Sequence, residues 1–275
     1  MNVWDAFEVP TIDERTNLPM IEQISKLYID GTELGLSPSE FCLDHPRLEE
    51  LIQEYNNKVG TLIMTYTLAF HYFNAGIPDD RWSISPGKQG QSVQYMPDFT
   101  EEHWGRNLWF GYFANVYYLT LYSIWDSVIE IINHYYDYDY PPANRQRKQV
   151  MEALKKDHRA LFDILDALTA DPIYKKAQEY RTAAAHGTTP NTVTDRIQQD
   201  KDIPMDFPVL GENGMPVVNE DGTFVTRKAK VRRIQWRIGK YATTQTIFQN
   251  MQEYAILSAG KIHEILSLMC ATKTT

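Results

Sequence analysis

An all-α fold, a helical bundle with a small β-hairpin inserted before its last helix, is what this 275-residue chain predicts. Three observations carry that reading. Apolar residues recur at three- and four-residue spacing over long stretches, Gly and Pro cluster between those stretches, and Asn213-Gly214 and Asp221-Gly222 are hairpin-type turn dipeptides close together near the C-terminal end. Residues 1–36 mix prolines, acids and short apolar groups, which predicts an arm with one short helix near Met20–Leu27. Ser37-Pro38-Ser39-Glu40 carries a helix-cap signal for another short helix. His45-Pro46-Arg47-Leu48 opens the first long helix, which runs through Leu51, Tyr55, Val59, Leu62 and Tyr66 and stops at Asn74-Ala75-Gly76.

Residues 77–100, rich in Pro, Gly, Ser and Gln, read as a loop, and Gly87-Lys88-Gln89-Gly90-Gln91-Ser92 lacks the GxxxxGK[ST] spacing of a phosphate cradle. From Thr100 to about Tyr136 lies the strongest helix, apolar on most faces and therefore central. Tyr138–Pro142 breaks it. Arg145–Ala170 follows as one helix with a Leu154, Leu161, Ile164, Leu165, Leu168 stripe. Asp171-Pro172 starts the next, which Gly187 and Pro190 stop. About 188–236 reads as loop and hairpin, and a helix from about Ile238 to Met269 closes the bundle. No internal repeat is evident, and residues 1–275 are expected to form a single domain.

Composition narrows the function. A formal net charge of −9 argues against diffuse binding to nucleic acid or an anionic membrane, so any RNA must be held by a local basic patch. Cys42 and Cys270 form neither a disulfide framework nor a CxxC pair, which fits a reducing compartment. The first eight residues lack the basic and apolar regions of a signal peptide. Asn107–Trp125 carries no charge, yet it holds Asn107, Asn115, Thr120 and Ser123 and runs into Asp126 and Glu130, as a buried core helix does and a membrane span does not. The expected setting is cytoplasmic, with no membrane partner.

The segment Arg181-Thr182-Ala183-Ala184-Ala185-His186 places a permanent cation and a titratable imidazole near a helix end, where the dipole favours imidazolium. Five positions of a helix turn through roughly 500°, so the two side chains point about 140° apart. Fraying at Gly187, or a second copy packed across the alanines, brings both onto one phosphate. The bland alternative is a surface arginine and a capping histidine.

This arrangement resembles the Arg-x4-His motif of the HEPN superfamily, helical-bundle proteins many of which are metal-independent ribonucleases. The resemblance implies Arg181 and His186 as the catalytic pair, and a homodimer in which two motifs form one composite cleft. It departs after the arginine, where Thr182 stands in place of the polar amide or acid that the family often has. The resemblance also implies an acid from an earlier helix, and Asp126 is the residue expected to pair with Arg181, with Glu130 one turn on as the fallback. The alternative for Asp126 is exposure, or a bond to some other hydroxyl or basic group.

Arg227, Lys228, Lys230, Arg232, Arg233, Trp236 and Arg237 sit in a stretch without acids, the one candidate surface for an RNA backbone, with Trp236 able to stack on a base. Equally, the alternation Lys228, Lys230, Arg232 suits a charged edge strand that resists aggregation. Cys42, Asp44 and His45, or His134 with Asp137 and Asp139, lack metal-ligand spacing, and no GxSxG nucleophile motif is present. No metal or cofactor is expected. The reading is thus a metal-independent endoribonuclease, with RNA and a second copy of the chain as partners. A non-catalytic helical module binding a nucleotide, RNA or protein is the alternative. A toxin or phage-defence effector, held by an antitoxin or regulatory protein, differs in context and not in chemistry.

Overall fold

The structure is a computed structural model that describes residues 6–35, 45–86, 92–142, 145–185, 189, 191, 196–237 and 241–273, with only the backbone at 83–86, 92–95, 196–203, 231–237 and 273. It forms two compact units: Met1–Ser83, Tyr95–Thr192 and Tyr241–Thr275 make one, Ile84–Gln94 and Val193–Lys240 the other.

The first unit is helical. Helices α1 (Ile12–Thr16) and α2 (Ile21–Ser25) precede the long helices α3 (Pro46–Asn74) and α4 (Glu101–Tyr135), then α5 (Gln146–Asp157), α6 (Arg159–Ala170), α7 (Pro172–Ala185) and α8 (Thr244–Lys273). α3 and α4 pack along each other most extensively, and α7 and α8 both lie against α4. The expected α3 is present, with Pro46 in its first turn and Gly76 at φ 89° just beyond its end. α4 begins with a capping box: the Thr100 hydroxyl accepts from the His103 N–H, and the His103 ring accepts from the Thr100 N–H. It buries Phe110, Ala114, Tyr117, Leu121, Ile124, Trp125 and Ile132, which makes it the core of the unit.

Tyrosines explain why so aromatic a chain can pack this way. Each brings a large apolar body and a hydroxyl that must find an acceptor when buried. Tyr117 donates to the Met251 carbonyl at 2.7 Å, Tyr118 to Asn250 Oδ1 at 3.0 Å, and the Trp125 indole to Ser258 Oγ at 3.2 Å, which ties α4 to α8. Tyr55 donates to the Leu27 carbonyl and Tyr66 to that of Pro19, fixing the N-terminal arm on α3. Burial holds the Tyr117 and Tyr118 hydroxyls well above their ordinary pKa.

Four local readings need correction. The arm holds α1 as well as α2, because Thr11 and Glu14 close a capping box. The loop expected over 77–100 contains two short paired strands, β1 (Ser83–Pro86) and β2 (Ser92–Tyr95). The single helix expected over Arg145–Ala170 is two, because His158 leaves the helical region at φ −135°, ψ 63° and its imidazole stacks on Tyr136 at 3.9 Å. The last helix begins at Thr244, where Asp79 caps it, and continues to Lys273. The helix signalled at Ser37–Glu40 and the glycine-rich run 87–91 lie outside the described residues.

The second unit carries the predicted hairpin before α8. Strands β3 (Arg196–Pro208) and β4 (Thr226–Arg237) pair antiparallel, with an irregularity between Asp200 and Ile203. Its tip uses the predicted turns, with Gly214 at φ 74° and Gly222 at φ 85°, and there Val209 pairs with Val225 and Val217 on either side. Among the described residues, no helix is long and apolar enough to cross a membrane.

Candidate functional site

α7 starts where its sequence says it must. The Asp171 carboxylate accepts the Ile173 N–H at 2.7 Å and the Tyr174 N–H at 3.4 Å, and Pro172 needs no such partner. Tyr174, Ala177 and Tyr180 then turn inward. Tyr180 meets Tyr118 with ring centroids 5.2 Å apart, and Tyr174 meets Tyr122 at 6.3 Å. Higher numbers on α4 face lower numbers on α7, so the two helices run antiparallel.

Arg181 is half-buried on this face, two turns beyond Tyr174. A helical side chain leans back toward its N-terminus, and the Arg181 guanidinium accordingly lies over the Tyr122 ring, 4.6 Å from its centroid. Among the described residues, its Nε is buried without a hydrogen-bond partner. A permanently charged group with an unanswered buried N–H is costly unless a ligand supplies the acceptor. Thr182 is exposed. His186, the other half of the predicted pair, lies outside the described residues. Five residues later the buried Asn191 side chain donates to the carbonyl and side-chain oxygens of Asn107, both at 2.8 Å, and faces Gly111, where a Cβ would collide with it. The chain therefore returns to the N-terminal half of α4 soon after the motif.

The structure does not join Asp126 to Arg181. Asp126 lies one turn beyond Tyr122 on α4, and the antiparallel packing puts it toward the start of α7, away from Arg181. Its carboxylate instead faces Arg147 of α5 at 3.7 Å and is 61% exposed. Glu130 lies 3.5 Å from Arg47. Arg147 also stands beside the Tyr174 hydroxyl, whose pKa is raised by burial and by the neighbouring Tyr122 and drawn down by that guanidinium. Tyr122, Tyr174, Arg147 and Asn191 were not read from the sequence as site residues. A signal existed in the first two: Tyr122 and Asp126 share a face by their four-residue spacing, Tyr174 and Arg181 by their seven.

A family model described as HEPN_Cthe2314-like HEPN matches residues 51–213. The chain belongs to the HEPN family. The match spans Asp126, Arg181 and His186 and stops before β4. No curated protein and no solved structure matches the chain.

The basic segment forms β4. Arg227, Lys228 and Lys230 are exposed, while Arg232, Arg233, Trp236 and Arg237 are placed by their backbone alone. The register sets Asp206 opposite Lys228 and Asp200 opposite Arg233, so part of the charge that looks acid-free along the sequence faces acids across the hairpin. Among the described residues, no group of three or more His, Cys, Asp or Glu is placed to hold a metal ion.

Proposed function

We propose that this HEPN protein is a metal-independent endoribonuclease, with Arg181 and His186 as its catalytic pair and a second copy of the chain completing the cleft. The observation that carries the reading is the buried Nε of Arg181, unanswered among the described residues and held over Tyr122 at the motif position. In cleavage, the fixed fork of Arg181 takes up the extra negative charge on the phosphorane oxygens. His186 removes the proton of the ribose 2′-hydroxyl, and the His186 of the second copy protonates the leaving 5′-oxygen, contributing on the order of 10²–10⁴ in rate. The products are a 2′,3′-cyclic phosphate and a free 5′-hydroxyl. Ala183–Ala185 have no bulk beyond Cβ, which permits the close approach of two α7 helices that sharing a phosphate requires. A toxin or defence role, with an antitoxin as its restraint, belongs to the same proposal and rests on the family alone.

The test is cleavage of mixed RNA by purified protein in EDTA. Wild type cuts, Arg181→Ala and His186→Ala do not, and both variants keep the wild-type circular dichroism. Cleavage by His186→Ala at the wild-type rate, or none by wild type in any buffer, refutes the proposal. Sedimentation as a monomer at micromolar concentration removes the composite cleft. One observation favours the second reading, a non-catalytic binding module: Asp126 faces Arg147, which leaves Arg181 without the supporting acid expected of it. RNA binding without cleavage is the outcome that selects it.

A further inference from the structure

Four side chains follow one another across the α4–α7 face: Arg181 over Tyr122, Tyr122 against Tyr174, and Arg147, whose charge acts on the Tyr174 hydroxyl and which faces Asp126 one turn beyond Tyr122. Arg147 comes from the first turn of α5, so the face holds two guanidinium groups from different helices with two tyrosines between them. Among the described residues one carboxylate, Asp126, closes this row, and it does so loosely: the pair is 3.7 Å apart, with Arg147 32% and Asp126 61% exposed. An ion pair so open to water and so long contributes little to stability, and a phosphate with several acceptor oxygens competes with it well.

We propose that Arg147 forms a second phosphate subsite beside Arg181, which the Asp126 carboxylate fills in the free protein. The proposal rests on the reading that RNA lies across Arg181. A strand whose reacting phosphate meets Arg181 passes Tyr122 and brings a neighbouring phosphate to Arg147. Asp126 then swings out toward solvent. On a chain of net charge −9 this internal carboxylate also serves selectivity: an isolated small anion gains one contact at the expense of an ion pair, whereas a strand already held at Arg181 pays that cost from two contacts.

The test uses the full chain in EDTA and a fluorescein-labelled 2′-O-methyl oligouridylate, which binds but lacks the attacking hydroxyl. Arg147→Gln is expected to raise Kd about tenfold and to lower the steepness of log Kd against log salt by about 0.7, the share of one single-strand phosphate. Asp126→Asn acts in the opposite direction and lowers Kd about threefold, because the internal competitor is gone. A merely structural Arg147–Asp126 pair predicts instead that both variants shift the melting temperature alike and leave Kd unmoved. That result, with wild type still binding and cutting RNA, removes the subsite and leaves the nuclease reading standing. Failure of wild type to bind the oligonucleotide removes both.

Discussion

Asp79 anchors the start of α8 to the rest of the bundle, and its replacement gives a sharp test of how the bundle is closed. The carboxylate is 3% exposed and accepts three hydrogen bonds, from the Tyr241 hydroxyl at 2.7 Å, the Thr244 N–H at 2.7 Å and the Thr244 hydroxyl at 3.1 Å. Tyr241 is itself buried, sets its ring at a tilt against Trp82 with centroids 5.0 Å apart, and has its hydroxyl pKa pushed up by burial first and by Asp79 second. Asp79→Ala leaves three donors facing a space that water does not reach. A bond to a charged acceptor contributes about 1.5 kcal/mol or more, and a lost helix cap alone costs about 1 kcal/mol. Allowing for partial relaxation, the expected loss is ~4 kcal/mol, or roughly 8–16 °C in melting temperature at ~2–4 °C per kcal/mol for a chain of this size. Asp79→Asn keeps an acceptor for the Thr244 N–H and is expected to lose about half as much. Thermal unfolding followed by circular dichroism reads both, and amide exchange in the first turn of α8 locates the change. If Asp79→Ala melts within about 2 °C of wild type, Asp79 does not hold α8 in place and this account of its N-terminus is wrong.

Three further outcomes follow from other parts of the chain. Gly111→Ala pushes a methyl into Asn191 and is expected to destabilise by ~1–3 kcal/mol; because Asn191 anchors the chain just beyond the motif, RNA cleavage falls more steeply than the melting temperature. Glu14 has its pKa lowered from 4.5, first by the Thr11 N–H and then by His71, which lies 2.8 Å away. A depressed carboxylate stabilises the fold above its unfolded pKa, and that contribution is lost as pH falls through the lowered value. Glu14→Gln therefore flattens the drop in melting temperature below about pH 4.5, and an unchanged slope rejects the assignment. Lys228→Ala with Lys230→Ala is expected to lower the salt dependence of RNA binding by about 1.4 if both meet phosphates; an unchanged slope shows that β4 is a solvated hairpin strand and not an RNA surface.

Sequence alone determined what depends on near neighbours in the chain. The spacing of Leu51, Tyr55, Val59 and Leu62 makes α3, and Asp171-Pro172 starts α7 because the cap and the fixed proline φ act within three residues. Asn213-Gly214 and Asp221-Gly222 make the hairpin tip for the same local reason. The Arg181-x4-His186 spacing was legible too, since its residues lie five positions apart in the chain. Tertiary structure decided the rest. Arg145–Ala170 reads as one amphipathic stretch until His158 finds Tyr136 at 3.9 Å, a contact between separate elements that no local pattern encodes. Asp79, in what reads as a loop, became the cap of a helix 165 residues further on. Asp126 was expected beside Arg181 because the resemblance implies an acid from an earlier helix. Which of them meet depends on the direction in which α7 crosses α4, and the antiparallel crossing sends Arg181 to Tyr122 and Asp126 to Arg147. Periodicity names the buried face of a helix, but a side chain's partner is set by the direction and register of the helix packed against it.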